Sequence, residues 1–547
     1  MHPNSPADPE KQVETSRRTS GTLQKSSDGA DPRNPPEETG RAIHDEGRLV
    51  LTEDEALDRA RRFPKDTEPI YLCYSTNDRD NPRNWTTGKR WWVTCLVCWF
   101  NVLTCLCAGG ISSASDDIAS TFGVSSEITT LCLSMYILGF AIGPMFLAPL
   151  SEFYGRSPVY ILTWFVLVVL HIGLALAPNI GTIIVIRFLA GFFGSAPLTN
   201  SGGTISDLWK RDESGFPMAI YGLSSTGGPP LALVISGFLA QNLGWRWLFW
   251  VQMIIIGFFW LIMFFTLPET RHTTILDCKT QRVRKRMMKE HLEAAENIKD
   301  INSDEKKGLH TLFAITLTRP VRFLITEPIT FCAAIYNGFI YGLVYLFNEA
   351  FPLVFGPTGH GFSTGEWGLT FLGLLIGSLV GALLHPLQER VYLRRVAQND
   401  GKGVPEARMW MARGGAFLLP ISLFWFGWTS YASVPWIVPV IASAFFGLGI
   451  YIVILSILNY VVDSYGPYSA SALAGVILVR NTVGAGFPLF AKQMYERLGL
   501  EWASTLLAFL AIPLIPIPFV FYYKGEGIRL RSPWAREHFD QDEDAPH

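Results

Sequence analysis

Long apolar stretches decide what this chain can fold into. Twelve segments of about twenty residues, near 91–113, 128–150, 158–177, 181–204, 216–240, 247–267, 327–351, 366–387, 413–430, 435–460, 468–490 and 502–523, carry almost no charge. Roughly 20 apolar residues are what an α-helix needs to cross a hydrocarbon core of about 30 Å. Inside that core each backbone polar group must be satisfied within the segment, which makes helices the natural reading. The expectation is an all-α, multi-pass membrane protein with twelve transmembrane helices. Composition agrees: 49% of the 547 residues are hydrophobic and 17% charged, against roughly 25% charged in an average soluble domain.

The charge that remains is concentrated in 1–90 and 268–326. Residues 1–88 hold no apolar run suited to a secretory signal and too little apolar surface to form a core, so they are expected to be a disordered cytosolic tail. Residues 268–326 divide the spans six and six as a cytosolic central loop, in which 280–299 reads as a charged, solvated helix. The expected domains are therefore the tail, a bundle over 89–267, the loop, a bundle over 327–523 and a cytosolic tail over 524–547.

Lys and Arg set the orientation. Lys89, Arg90, Arg156, Lys210, Arg211, the 271–322 segment, Arg390 to Arg413 and Lys524 onward fall on one side. The opposing loops near 114–127, 178–180, 352–365 and 431–434 have none, and Arg246, Lys492 and Arg497 are the exceptions. The asymmetry places both termini in the cytoplasm and requires an even number of spans.

Several chemistries lack their residues. A net charge of −2 gives no bias toward nucleic acid. The eight cysteines lie mostly in apolar segments and make no disulfide framework or metal set; Cys95 and Cys98 read as small packing residues. With no phosphate-binding loop, metal cluster or nucleophile with its base, the chain is expected to be neither an enzyme nor a user of cofactors or metals.

Local sequences then narrow the class. The run 138–144 (LGFAIGP), continuing to Ala148-Pro149-Leu150-Ser151-Glu152-Phe153-Tyr154-Gly155-Arg156, resembles the second-helix and loop signature of the major facilitator superfamily, in the form used by fungal twelve-span drug:proton antiporters. Residues 187–195 (RFLAGFFGS), 245–250 (WRWLFW), 267–270 (LPET), Glu327-Pro328 and 341–347 (YGLVYLF) resemble its fourth, sixth and seventh helices. The resemblance covers most of 81–524. It implies two six-helix bundles that rock about a midplane site and export small amphiphilic or cationic organic molecules against protons. A uniporter or importer, or a non-transporting receptor, are the alternatives. The chain departs from the pattern at Ser157, where a second basic residue is usual, and in the fifth helix. There Gly228-Pro229 fits, but Ala232-Leu233 and Ser236-Gly237 replace the later pairs. Because that pattern is associated with exchange, its erosion bears on antiport.

Specific residues carry the expected roles. Arg187 lies in an apolar run and cannot shed its proton, so it should face a polar cavity or a carboxylate on another helix, unless it snorkels to the interface. The resemblance gives it a part in proton coupling. Its candidate partners are Asp116, beside Asp117, and Glu349; the Asp pair could equally be a solvated loop. Asn337, Tyr341, Tyr345 and Asn348 align on one helical face and are expected to line a substrate surface or a polar helix seam, with Arg480-Asn481 as a second polar island. Glu152, Gly155 and Arg156, with Gly228 and Pro229, are the expected gating residues. The partners expected are a small-molecule substrate, protons and the lipid bilayer; the protein is expected to be a monomer in the plasma membrane rather than the vacuole.

An internal echo supports two related halves. Gly139 and Gly143 precede Pro149-Leu150-Ser151-Glu152, and Gly373, Gly377 and Gly381 precede Pro386-Leu387-Gln388-Glu389. Glycines at this spacing let helices approach closely.

Overall fold

The structure, a computed structural model, describes residues 43–45, 48–63, 69–75, 77–210, 213–290, 292–301, 309–399 and 402–536. Among these, eleven helices are long and apolar enough to cross a membrane, and one of them, Gly215–Thr266, has 52 residues. At 1.5 Å per residue that helix would measure about 78 Å, more than twice a hydrocarbon core. It breaks at Gly244 (φ 78°, ψ 171°), a conformation that side chains other than glycine resist. The Asp117 carboxylate caps the restart by accepting the Trp245 N–H at 3.0 Å. The break makes twelve spans from eleven helices.

In order, span one is Thr87–Gly109, extended by a 3-10 turn at Gly110–Ala114 and the helix Ser115–Phe122. Spans two and three are Ser126–Tyr154 and Arg156–Ala175; span four is Ile180–Leu208; spans five and six are 215–243 and 245–266. Spans seven to twelve are Pro328–Phe355, Thr364–Gln398, Pro405–Thr429, Ile437–Tyr465, Ser469–Leu498 and Leu500–Arg529. Helix starts and ends differ from the sequence reading by several residues, since hydropathy senses the hydrocarbon and not the polar turns that continue a helix beyond it.

The two halves use one packing plan. Span one packs on five, two on four and three on six; seven packs on eleven, eight on ten and nine on twelve. The halves meet where two lies against eleven and five against eight. Small residues carry the closest approaches, as expected where apolar burial gives helices in lipid no driving force to associate. A Cβ on Gly139 would stand 2.8 Å from the Gly191 carbonyl carbon of span four, and one on Gly377 would stand 2.8 Å from the Ala444 carbonyl carbon of span ten. The glycine echo thus marks equivalent crossings in both halves. Large apolar side chains such as Leu162, Phe165, Phe265 and Leu383 point outward, as a lipid-facing surface requires.

The expected tail and loop need correction. Residues 1–42 lie outside the described residues, but much of 43–88 is ordered rather than disordered. It joins the central segment in a small α/β unit. Strands β1 (Ile43–Asp45), β2 (Arg48–Leu51), β3 (Ile70–Leu72) and β4 (Ile298–Asp300) form a sheet in that order, β1 antiparallel to β2 and the rest parallel. The helices Glu53–Arg62 and His272–Lys289 close a core of Leu51, Leu57, Ile70, Val283, Met287 and Ile298. The charged helix expected at 280–299 therefore begins at His272 and ends at Lys289, and one face is buried. Lys279 pairs with Asp78 and with Glu53 (3.3 Å), and Arg61 with Glu290 (3.0 Å). Neither segment has enough apolar surface alone; together they do, and such pairing across 200 residues leaves no local periodicity to read. The rest of the central segment includes a second helix, Leu309–Thr326.

Met287 is wholly buried in this unit. Met287→Asp places an unpaired carboxylate there and should release the N-terminal strands. Limited trypsin digestion should then cut at Arg61 or Arg62 at least about tenfold faster, while the spans stay intact; unchanged cleavage would mean that the unit does not depend on this core.

Candidate functional site

The polar residues of span seven converge with span eleven near mid-helix. Tyr341 and Tyr345 stack edge to face at 5.1 Å, and the Arg480 guanidinium lies 4.5 Å over the Tyr341 ring. Gly484, one turn beyond Arg480, makes room for both tyrosines: a Cβ there would meet Tyr341 at 3.1 Å and Tyr345 at 3.4 Å. The Asn481 amide crosses to the other half and donates to the Phe140 carbonyl at 2.9 Å. Ile137 of span two and Cys105 of span one complete the walls. Tyr341, Tyr345, Asn348, Arg480 and Asn481 are all buried, so this polar chamber between the helices is shielded from solvent in this conformation.

Its polar atoms are poorly satisfied. Asn348 Nδ2, Arg480 Nε and Asn481 Oδ1 are buried without a protein partner, and the Tyr341 and Tyr345 hydroxyls have at most each other. Buried polar groups are normally paired, so a cluster of orphans at a domain seam marks a place where something polar is bound. Asn337 is less exceptional, since its amide bonds back to the Ala333 carbonyl at 2.8 Å.

Arg187 meets neither of the partners expected for it, a carboxylate or the interface. The side chain is wholly buried, so it does not snorkel, and among the described residues it pairs with backbone carbonyls and with no carboxylate. Its Nε donates to the Cys132 carbonyl (3.1 Å) and its two terminal nitrogens to those of Cys107 (2.5 Å) and Ala108 (2.6 Å). Span one turns from α to 3-10 at Gly110, leaving its last α-helical carbonyls in need of donors, and Arg187 supplies them. The Tyr136 ring covers the guanidinium at 4.4 Å. The planar fork explains why arginine stands here.

The acidic candidates separate. Asp116 is exposed, and its neighbour Asp117 caps span six; neither pairs with Arg187. Glu349 is half-buried one turn beyond Tyr345, within hydrogen-bond reach of the Thr130 hydroxyl of span two, with Lys492 and Asp116 as its charged neighbours. Lys492 also bonds Ser126 at 3.0 Å, so this group spans both halves.

Two of the expected gating residues, Gly155 and Arg156, sit in a rosette at the face that carries the start of span one. Gly155 has φ 101°, and a Cβ there would press on the Glu269 carboxyl carbon at 2.8 Å. Glu269 accepts the N–H groups of Arg156 (2.9 Å) and Ser157 (3.1 Å), capping span three. Arg156 reaches Ser151 (2.8 Å) and Asp207 (3.4 Å). Ser157, the residue that departs from the pattern, donates to the Leu267 carbonyl. All these bonds lie within one half; Glu152 has no bond among them. His272 Nε2 donates to the Asp207 carbonyl in this corner at 2.8 Å, and burial lowers the pKa of the ring below the ordinary imidazole value.

The second half repeats the rosette, which the sequence reading missed. Arg408 at the start of span nine bonds Glu389 and Asp463, each at 2.8 Å, and Arg529 of span twelve bonds Glu406. The Pro-Leu-Gln-Glu echo at 386–389 was the available signal. Across the seam, Gly215 at the start of span five sits on Glu389, close enough that a Cβ would meet its carboxyl carbon at 2.8 Å. Gly228 packs on Cys105 of span one, a Cβ there standing 2.9 Å from its Cβ, and Pro229 is buried beside it. Among the described residues no His, Cys, Asp and Glu cluster suits a metal.

Two repeated six-helix halves around a closed polar chamber define a secondary transporter, a membrane protein and not an enzyme. The chain belongs to the Major Facilitator Superfamily, whose family profile matches residues 97–489. It is 38% identical to the MFS-type efflux pump MFS2 of Trichophyton rubrum, covering 86% of this chain and 78% of the relative. It is 36% identical to the multidrug transporter mdrA of Aspergillus fumigatus, covering 86% and 76%. Its fold is similar to that of the proton:xylose symporter XylE (TM-score 0.56, 15% identity, covering 80% of this chain and 97% of that one).

Proposed function

We propose that this protein exports small amphiphilic organic molecules by proton antiport and alternating access, with Glu349 carrying the proton. The observation that carries the reading is the closed chamber of Tyr341, Tyr345, Arg480 and Asn481 on the seam between two repeated halves; the efflux relatives support the direction. The face holding both rosettes is cytosolic, the membrane is the plasma membrane and the working unit is a monomer. Each rosette ties helix ends within its own half, so each half moves as one body. The Gly215–Glu389 contact is then one that must part when the chamber opens to the cytosol, and Gly228 and Pro229 lie on the helix that moves.

The test is flux through purified protein in liposomes, across a panel of amphiphilic compounds, with and without a pH gradient. Gradient-driven accumulation of some members, accompanied by counter-movement of protons, is expected. Equilibration that ignores the gradient would instead identify a uniporter, which the eroded fifth helix favours. Binding without passage would identify a receptor.

A further inference from the structure

We propose that the chamber selects organic anions, small molecules with an aromatic or apolar body and one carboxylate, and that Arg480 is the residue that selects them. The inference rests on reading this chamber as the substrate site.

Two buried arginines in the same molecule make the contrast. Arg187 spends its donors on three carbonyls and serves the helix ends. Arg480, only 4% exposed, forms no hydrogen bond and no ion pair among the described residues, and its Nε is an orphan. A guanidinium cannot lose its proton to escape this position, and an unpaired buried charge is costly to hold. Such a charge persists where a ligand completes it.

The carboxylates of the spans are committed elsewhere. Asp207 belongs to Arg156, Glu389 and Asp463 to Arg408, and Glu406 to Arg529. Asp117 caps Trp245, and Glu349 lies beside Thr130 and Lys492. Around Arg480 stand Tyr341, Tyr345, Tyr221 and Cys105, none of which supplies a negative charge in its ordinary form. The remaining poorly satisfied groups include donors: two tyrosine hydroxyls and Asn348 Nδ2. A carboxylate accepts from all of these and can take two parallel bonds from the guanidinium fork, while the Tyr341–Tyr345 rings and Ile137 hold an apolar body. A cation would meet like charge, while the nearest acid, Glu349, stands a turn away and shares its balance with Lys492. The cationic substrates expected from the sequence are therefore disfavoured at this chamber.

Three matched probes test this: 4-phenylbutyrate, 4-phenylbutyramide and 4-phenylbutyltrimethylammonium, measured calorimetrically on the purified full chain. The acid should bind at least about tenfold more tightly than the amide, a difference of about 1.4 kcal/mol, and the ammonium more weakly than either. In Arg480→Gln the acid should lose its advantage and bind no more tightly than the amide does to the same variant. Should that variant fail to fold, the wild-type ranking decides. A preference for the ammonium, equal binding of acid and amide, or an acid preference that survives Arg480→Gln would overturn anion selection while leaving the substrate site in place. Binding of none of the three, together with no flux across the compound panel, would overturn the chamber reading and this inference with it.

Discussion

Glu349→Gln is expected to abolish gradient-driven export, by more than about a hundredfold, while exchange of substrate across the membrane continues at close to the wild-type rate. Glutamine keeps the size and hydrogen bonding of the protonated acid but cannot cycle its proton. Position is the ground for proposing this residue as the carrier. Most other carboxylates of the spans lie near helix ends, and many are tied to Arg, Lys or a backbone N–H, as with Asp207, Asp463, Glu389 and Asp117. Glu349 alone sits one turn from the chamber, on span seven, facing Thr130 of the other half. Its charge state alters a contact between the halves, with Lys492 of span eleven sharing the balance. Paired measurements of substrate-induced pH change and of counterflow in the same liposomes separate the two processes. Retained proton coupling in the glutamine variant would remove Glu349 from the carrier role; loss of counterflow as well would make it a substrate or structural residue.

Arg187→Ala should cost the fold itself. It orphans the Cys107 and Ala108 carbonyls at the end of span one and leaves a void beneath Tyr136. Two such buried acceptors at about 1–3 kcal/mol each are a large part of what holds an ordinary domain together. A fall in thermal midpoint on the order of 10 °C is expected, with binding and flux lost together. Arg187→Lys should also destabilise, because one ammonium on a flexible stem cannot reach three carbonyls that the planar fork meets at once. A coupling residue behaves differently: the lysine variant would melt like the wild type and bind substrate, yet lose only its proton-driven flux. Scanning fluorimetry beside binding and flux distinguishes the two. An unshifted midpoint with selectively lost flux would return Arg187 to the proton pathway and displace the capping role.

How far the primary structure reaches differs from element to element. The spans were legible because lipid demands about twenty apolar residues per crossing, a requirement met locally and one helix at a time. The Tyr341–Tyr345 face was legible for the same reason, since side chains four apart share a helical face wherever that helix ends up. Gly155 was legible because a left-handed turn leaves few choices of residue, and the structure adds only that Glu269 fills the space a side chain would take.

What only the tertiary structure decided is the identity of partners distant in the chain. Hydropathy shows that Arg187 is out of place in an apolar helix, but not that two carbonyls 79 and 80 residues away are waiting for it. Those carbonyls are free because span one changes helix type, a backbone event with no residue signature strong enough to read. Likewise, Arg480 and Arg187 look alike in sequence, each a lone cation among apolar neighbours. One is satisfied by helix ends and the other is left open in a chamber, and which is which depends on how spans one, two, seven and eleven meet. The N-terminal strands make the same point outside the membrane. Their apolar residues are too few to fold alone, and only the arrival of Val283, Met287 and Ile298 from the central segment completes a core. Local periodicity therefore determined the spans and their faces, because lipid imposes the same condition on every helix. The burial of charge was decided by packing, because a buried charge is stabilised only by the groups that actually surround it.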